Sequence, residues 1–157
     1  MKNKIEKIIA SLKSQKQTIT FAESCTGGRI AAAFTSVSGA SAILDGSCVT
    51  YSNEIKQLWL GVKEETLIAH GAVSPQCVSQ MLEGMQRLAG SDYTIAVSGI
   101  AGPGGASDEK PVGTVYIGIQ SPFTQEIFHC FFHGNREQIQ EQSSTFAIDK
   151  LMEVLEI

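Results

Sequence analysis

The sequence lacks most of the features that would assign a chemistry at sight. Its four cysteines, Cys25, Cys48, Cys77 and Cys130, form no Cys-x-x-Cys pair. The N-terminal stretch MKNKIEKIIASLKSQKQ is charged throughout and holds no secretion-signal apolar segment, so a disulfide framework is not expected. Only three histidines occur, His70, His129 and His133. Of these, His129 and His133 share one strand face near Cys130, and two lone ligands do not make a zinc site. No apolar run reaches the ~18 residues of a membrane span. No run of lysine or arginine exists, and the net charge is −4, which weighs against a nucleic-acid partner. A cytoplasmic location is the expectation. The phosphate-loop ending Gly-Lys-Ser/Thr, a complete Gly-x-Gly-x-x-Gly opening a helix, and the Gly-x-Ser-x-Gly elbow of hydrolases are all missing.

What is present is ordinary in bulk and punctuated in detail. The chain has 157 residues, 43% of them hydrophobic, which suits one domain (1–157) with one core. Ile5, Ile8, Ile9 and Leu12 fall at helical spacing over residues 3–15. A short strand is expected over 18–22, then a helix over 26–34 opened by Gly27 and Gly28. A second strand spans 43–51, kinked at Gly46, and a short helix over 53–60 is capped by Ser52 or Asn53 and ended by Gly61. Another short helix covers 64–70, and Ser74-Pro75 starts a long one. Residues 93–98 read as a strand, 99–111 as a glycine-rich loop, and 112–120 with 124–132 as a hairpin. A final helix runs over 135–157, with an apolar stripe at Ile139, Phe146, Leu151, Val154 and Leu155. Alternating strands and helices predict a three-layer α/β/α domain, and the hairpin makes its sheet mixed.

Two strand ends carry the candidate chemistry, because open α/β sheets bind ligands at the carboxyl ends of their strands. The first is Glu23-Ser24-Cys25-Thr26-Gly27-Gly28. The helix that follows offers free N–H groups and a positive dipole end to an anion or an oxyanion. Ser24 or Cys25 stands ready to attack a carbonyl, or else a serine or threonine here caps the helix. A serine needs a base. No histidine lies at a predicted strand–helix junction, which leaves a lysine held neutral by burial. Lys56, one turn into the helix after the second strand, could meet Ser24 together with Tyr51, or could be a solvated lysine beside Glu54. Ser107 and Lys110 have Ser-x-x-Lys spacing, but within a loop that enforces no geometry. The second strand end is Gly99-Ile-Ala-Gly-Pro-Gly-Gly105, which either wraps a phosphate or sugar with its amides or is a mobile loop. Two glycine-rich strand ends favour a nucleotide-like ligand. Arg136 could clamp a phosphate or stand in solvent.

Taken together, AESCTGG (22–28), VTYSNEIK (49–56), HGAVS (70–74), SGIAGPGG (98–105), KPVGTVYIG (110–118) and GNREQI (134–139) closely resemble the C-terminal domain of the competence/damage-inducible protein A (CinA) family. The length is similar to that of the family's stand-alone nicotinamide-nucleotide amidases, without the molybdopterin-binding-like domain of longer members. The resemblance implies a mixed, mostly parallel five-stranded sheet. It implies hydrolysis of nicotinamide mononucleotide to nicotinate mononucleotide and ammonia, with no metal or other cofactor. It makes Ser24 the nucleophile, Lys56 the base and Tyr51 a proton relay or serine-orienting group. Thr26, Gly27, Gly28, Ser98, Gly99, Gly102 and Arg136 are its substrate-binding candidates. Two positions depart from the common pattern, Cys48 and the Asn135 preceding Arg136. Cys25 is the rival nucleophile, since a thiolate at a helix N-terminus is activated. A non-catalytic pyridine-nucleotide-binding module, or a partner-docking element in DNA uptake or repair, is the alternative. A homo-oligomer is expected, with a small-molecule partner and neither nucleic acid nor membrane.

Overall fold

A computed structural model describes residues Met1–Ile157. In chain order the elements are α1 (Lys2–Gln15), β1 (Ile19–Glu23), α2 (Arg29–Thr35), β2 (Leu44–Val49), α3 (Asn53–Leu60), α4 (Glu64–His70), α5 (Pro75–Ala89), β3 (Tyr93–Gly99), β4 (Thr114–Gln120), β5 (Gln125–Phe131) and α6 (Arg136–Val154). A 3₁₀ turn, Ala40–Ala42, leads into β2. The strands form one sheet in the order β2-β1-β3-β4-β5. β1 pairs in parallel with β2 and β3, and the β4–β5 hairpin adds antiparallel pairs, so only β4 runs against the others. The sheet is therefore mixed and mostly parallel, as expected.

Alternation sorts each strand between two apolar clusters. Ile19, Phe21, Ile95, Val97, Val115, Ile117 and Ile119 join Ile5, Ile8, Ile9 and Leu12 of α1, Ile30 and Phe34 of α2, and Ile139, Ile148 and Leu151 of α6. Ala22 and Ala96 face Val78, Met81 and Leu82 of α5 and Leu60 of α3 on the opposite side. The small residues there let α5 lie close. A side chain at Gly118 would meet Val78 and Leu82 within 2.7 Å.

Local signals placed most boundaries. Ser52 Oγ accepts from the Ile55 N–H at 3.1 Å, and Gly61 ends α3 at φ 69°. Ser74 caps α5, with Pro75 in the first turn. Asn135 and Gln138 form a reciprocal capping box at the start of α6. Next to Gly46 the register skips Asp45, the irregularity expected there. Several expectations shift: β2 ends at Val49 rather than residue 51, and α6 at Val154 rather than residue 157. α2 begins at Arg29, not at residue 26, because Gly27 and Gly28 hold φ 62° and 95° and keep the chain out of a right-handed helix. The hairpin strands are shorter by one or two residues at their outer ends. On α6 the fully buried face also takes in Gln140, Ser143 and Ser144, while Phe146, Val154 and Leu155 of the expected stripe pack half-buried against the core. Both serines turn their hydroxyls back onto carbonyls four residues earlier, Ile139 and Gln140, which lets them lie in the core.

The crossing of α3 on α5 is set by one glycine. A Cβ at Gly84 would sit 1.9 Å from the Leu60 carbonyl oxygen. Alanine is the better helix former by about 1 kcal/mol, but the obstacle is backbone and cannot swing aside. Gly84→Ala should lower the denaturant-derived folding free energy by about 2–3 kcal/mol. A stabilised variant would contradict this reading of the crossing.

Candidate active site

β1 ends at Glu23, and Ser24 follows it at the carboxyl edge of the sheet. The turn is held from several sides. The Ser24 N–H donates to the Val97 carbonyl at 3.0 Å, the Gly27 N–H to the Ser24 carbonyl at 3.0 Å, and the Thr50 N–H to the Glu23 carbonyl at 2.9 Å. β1 and β2 are parallel neighbours, so the start of α3 arrives beside Ser24. Lys56, one turn into α3, points back under the sheet edge. Its Nζ donates to Ser24 Oγ at 3.1 Å and to the Tyr51 carbonyl at 3.0 Å.

Lys56 is 2% exposed, and neither of the structure's two ion pairs involves it. Burial pulls its pKa below the ordinary 10.5, opposed only by the nearby thiols of Cys77 and Cys25. Those thiols are poor counter-ions, since burial pushes Cys25 up to about 12 and Cys77 up to about 11. Burial without a carboxylate partner therefore disfavours the ammonium form of Lys56. The same burial removes the rationale for Cys25 as the nucleophile. Its thiol stays protonated, and the adjacent Glu23 carboxylate adds to that.

The capping reading of Ser24 and Thr26 fails. Gly28 is the N-cap of α2 and offers no side chain, while the fully buried Glu23 carboxylate accepts the Ile30 and Ala31 N–H groups at 3.0 Å each. The helix end expected to receive an oxyanion is thus already occupied by an acid of the chain itself. The only signal for this was an acidic residue closing an otherwise apolar strand.

A cleft of about 220 Å³ opens over Ser24, Cys25 and Lys56. Tyr51, Asn53 and Arg136 line one part, Ala72 and Val73 another, and Ser98–Gly102 with Gly104 and Gly105 the rest. Thr26, Gly27 and Gly28 do not line it: Thr26 is fully buried with its hydroxyl unpaired, Gly27 is exposed, and Gly28 is half-buried beside Val49. Their expected place in a substrate pocket is corrected accordingly. Ser98 lines the cleft with its hydroxyl already donated to the Ala72 carbonyl at 2.8 Å. Gly99 and Gly102 leave no room for side chains, because a Cβ would lie 2.7 Å and 2.5 Å from Val115 and Val112 side-chain atoms. The N–H groups of Ala101, Gly102, Gly104 and Gly105 find no acceptor in the chain.

Tyr51 is 58% exposed, and its hydroxyl accepts from Arg136 Nη2 at 2.6 Å rather than meeting Ser24. The expected relay contact is replaced by a carbonyl contact to Lys56. Arg136 Nη1 reaches the Gly102 carbonyl at 2.7 Å, so its guanidinium bridges the mouth of the cleft. Both of its acceptors are neutral. The Ser107–Lys110 pair forms no dyad: Ser107 Oγ accepts the Lys110 N–H, while Lys110 Nζ binds the His70 carbonyl at 2.5 Å. His129 stacks on Tyr116, His133 packs edge-on to Phe131, and no three metal-ligating side chains converge. No helix is long and apolar enough to cross a membrane. Sequence reasoning did not find Asn53 or the 72–73 segment as cleft walls, nor the bond from Gln140 Nε2 to the Cys25 carbonyl at 2.8 Å.

The model of the CinA C-terminal domain matches residues 1–155. The chain belongs to the CinA C-terminal domain family. Among its relatives, a CinA-like protein of Endomicrobium trichonymphae is 50% identical over 140 residues, 89% of this chain and 33% of that protein. The nicotinamide-nucleotide amidohydrolase PncC of Escherichia coli (strain K12) is 43% identical over 148 residues, 93% of this chain and 89% of that protein. The chain therefore spans about a third of the CinA-like relatives and most of the PncC relative. The crystal structure of competence/damage inducible protein CihA from Agrobacterium tumefaciens superposes with TM-score 0.95 at 36% identity, over 99% of this chain and 95% of that one. Competence damage-inducible protein A from Klebsiella pneumoniae superposes with TM-score 0.93 at 38% identity, over 96% and 94%.

The buried lysine makes a stability prediction that does not depend on substrate. A base whose folded pKa is depressed destabilises the fold as pH falls below its unfolded value, here 10.5, and the loss is complete below the folded pKa. The stability of wild type relative to Lys56→Met should therefore rise as pH is raised from 7 toward 10. Denaturant titrations at several pH values read this difference, and a gap that ignores pH would contradict the assignment.

Proposed function

We propose that this CinA-family chain is a serine/lysine amidohydrolase that converts nicotinamide mononucleotide to nicotinate mononucleotide and ammonia. The observation that carries this reading is the 3.1 Å contact between Ser24 Oγ and the buried, carboxylate-free Lys56 at the floor of a cleft. The likeness to the PncC amidohydrolase over most of both chains supplies the substrate.

In this scheme neutral Lys56 takes the proton from Ser24 Oγ as that oxygen attacks the carboxamide carbon. The tetrahedral oxyanion is met by backbone N–H groups of the cleft wall, for which the unpaired amides of Ala101 and Gly102 are the candidates. The Lys56 ammonium returns its proton to the leaving nitrogen, ammonia departs, and an acyl-serine remains. Water, deprotonated by Lys56, then attacks the acyl carbon, and nicotinate mononucleotide is released as the Lys56 ammonium returns that proton to the departing Ser24 Oγ. The Tyr51 carbonyl orients the amine, while Arg136, bound only to neutral acceptors, is free to exchange one of them for the substrate phosphate.

A purely binding module gains nothing from a desolvated lysine, which costs stability at neutral pH. Wild type should release ammonia from nicotinamide mononucleotide, and Ser24→Ala should lose that release by about three orders of magnitude or more. Cys25→Ala should keep it. Release that survives in Ser24→Ala would overturn the nucleophile. A wild type that releases none would overturn the amidase reading and leave a binding module. Because the base must be unprotonated, kcat/KM should rise with pH and level off below 10.5, and a flat profile would exclude Lys56 as that base.

A further inference from the structure

Three peptide planes follow one another through the nucleophile turn, and each is tied down. The plane before Ser24 is held through its N–H to the Val97 carbonyl, and the plane after it through its carbonyl to the Gly27 N–H. The next plane, Cys25–Thr26, has one external tie. Its carbonyl accepts from Gln140 Nε2 at 2.8 Å, in a buried contact between residues 115 positions apart. A peptide unit is rigid and planar, so fixing that carbonyl fixes the whole Cys25–Thr26 plane.

Gln140 is an expensive side chain to place there. It is 7% exposed on a buried helix face shared with Ile139, Ser143, Ser144, Ala147, Ile148 and Leu151. Burying a glutamine costs rotamer freedom and amide solvation, and alanine or leucine would fill the face without either cost. Its amide nitrogen aims at a carbonyl one residue from Ser24. One helical turn earlier on the same face stands Arg136, which holds the Gly102 carbonyl and the Tyr51 hydroxyl at the mouth of the cleft. A single face of α6 therefore holds both the mouth and the nucleophile turn.

We infer that Gln140 is a positioning residue that holds the Ser24 turn in register with Lys56, through its bond to the Cys25 carbonyl. The inference rests on the reading of Ser24 as nucleophile. Without that bond the Cys25–Thr26 plane is free to rotate, the serine drifts from the amine, and acylation slows while the substrate's other contacts persist. A misplacement of about 1 Å in such a pair costs on the order of a hundredfold in rate.

The test is the rate at which a small fluorophosphonate phosphonylates Ser24, with Oγ displacing fluoride from phosphorus, read as a mass shift on the peptide containing residue 24. That readout requires neither the nucleotide substrate nor Arg136. Gln140→Leu, shown to be folded by its melting transition, should label about 10–100-fold more slowly than wild type. On nicotinamide mononucleotide it should lower kcat with KM nearly unchanged. Where the leucine variant does not fold, Gln140→Asn, which keeps the amide but withdraws it by one methylene, is expected to show the same slowing. A folded variant that labels at the wild-type rate overturns the inference, because a merely structural glutamine would lower the melting temperature and leave labelling alone. A wild type in which Ser24 does not label overturns the nucleophile reading and this inference with it. Labelling of wild type without ammonia release would instead leave the positioning claim testable and put the substrate assignment aside.

Discussion

Everything at this site depends on an amine kept out of water with no anion to pair with it. Lys56 reaches that position because β2 and α3 are joined by a short turn, because Ser52 fixes the first turn of α3, and because Gly84 lets α3 lie against α5. The neighbours that could have served as counter-ions are two thiols that burial holds neutral. The result is an amine that costs the fold stability at neutral pH and, in the proposed reaction, serves as the base for the same reason. That trade is common where a side chain must be unprotonated to act.

The second constraint is how the positive ends of the backbone are used. In many α/β proteins the helix after the first strand receives an anionic ligand at its N-terminus. Here Glu23 closes that end of α2 from within. The carboxylate locks the helix to the strand that leads into Ser24, and it adds to the burial that raises the thiol pKa of Cys25. The unpaired amides lie across the cleft instead, in residues 101–105, where Gly99 and Gly102 bring the backbone close to Val115 and Val112. Ser24 and the unpaired N–H groups therefore come from different strand ends, β1 and β3, which are parallel neighbours in the sheet.

Local rules recovered the elements well because caps and alternation act over a few residues. Ser52, Gly61, Ser74-Pro75 and the Ile5-to-Leu12 stripe each announce their own structure. The site was legible only as a set of residue types. Lys56 in an eight-residue helix reads as solvated, since the neighbours it meets, Ser24, Cys25 and, from α5, Cys77, lie far away in sequence. Tyr51 was placed correctly at the cleft but with the wrong group engaged: its carbonyl meets Lys56, while its ring leans out to Arg136. Thr26, Gly27 and Gly28 looked like a ligand cradle because the sequence could not reveal that Glu23 already occupied the helix end. Gln140 left no trace at all, being one polar residue on a mixed helix face.

The charge state of Lys56 tests the central claim most directly. Protein carrying ¹³Cε- and ¹⁵Nζ-labelled lysine can be titrated by NMR, with Lys56→Met used to assign the resonance. The account predicts a midpoint well below the ordinary 10.5 for this one lysine, set apart from the exposed lysines. A Lys56 resonance that titrates with the exposed lysines near 10.5 would contradict it, and the buried pair could no longer be read as a nucleophile with its base.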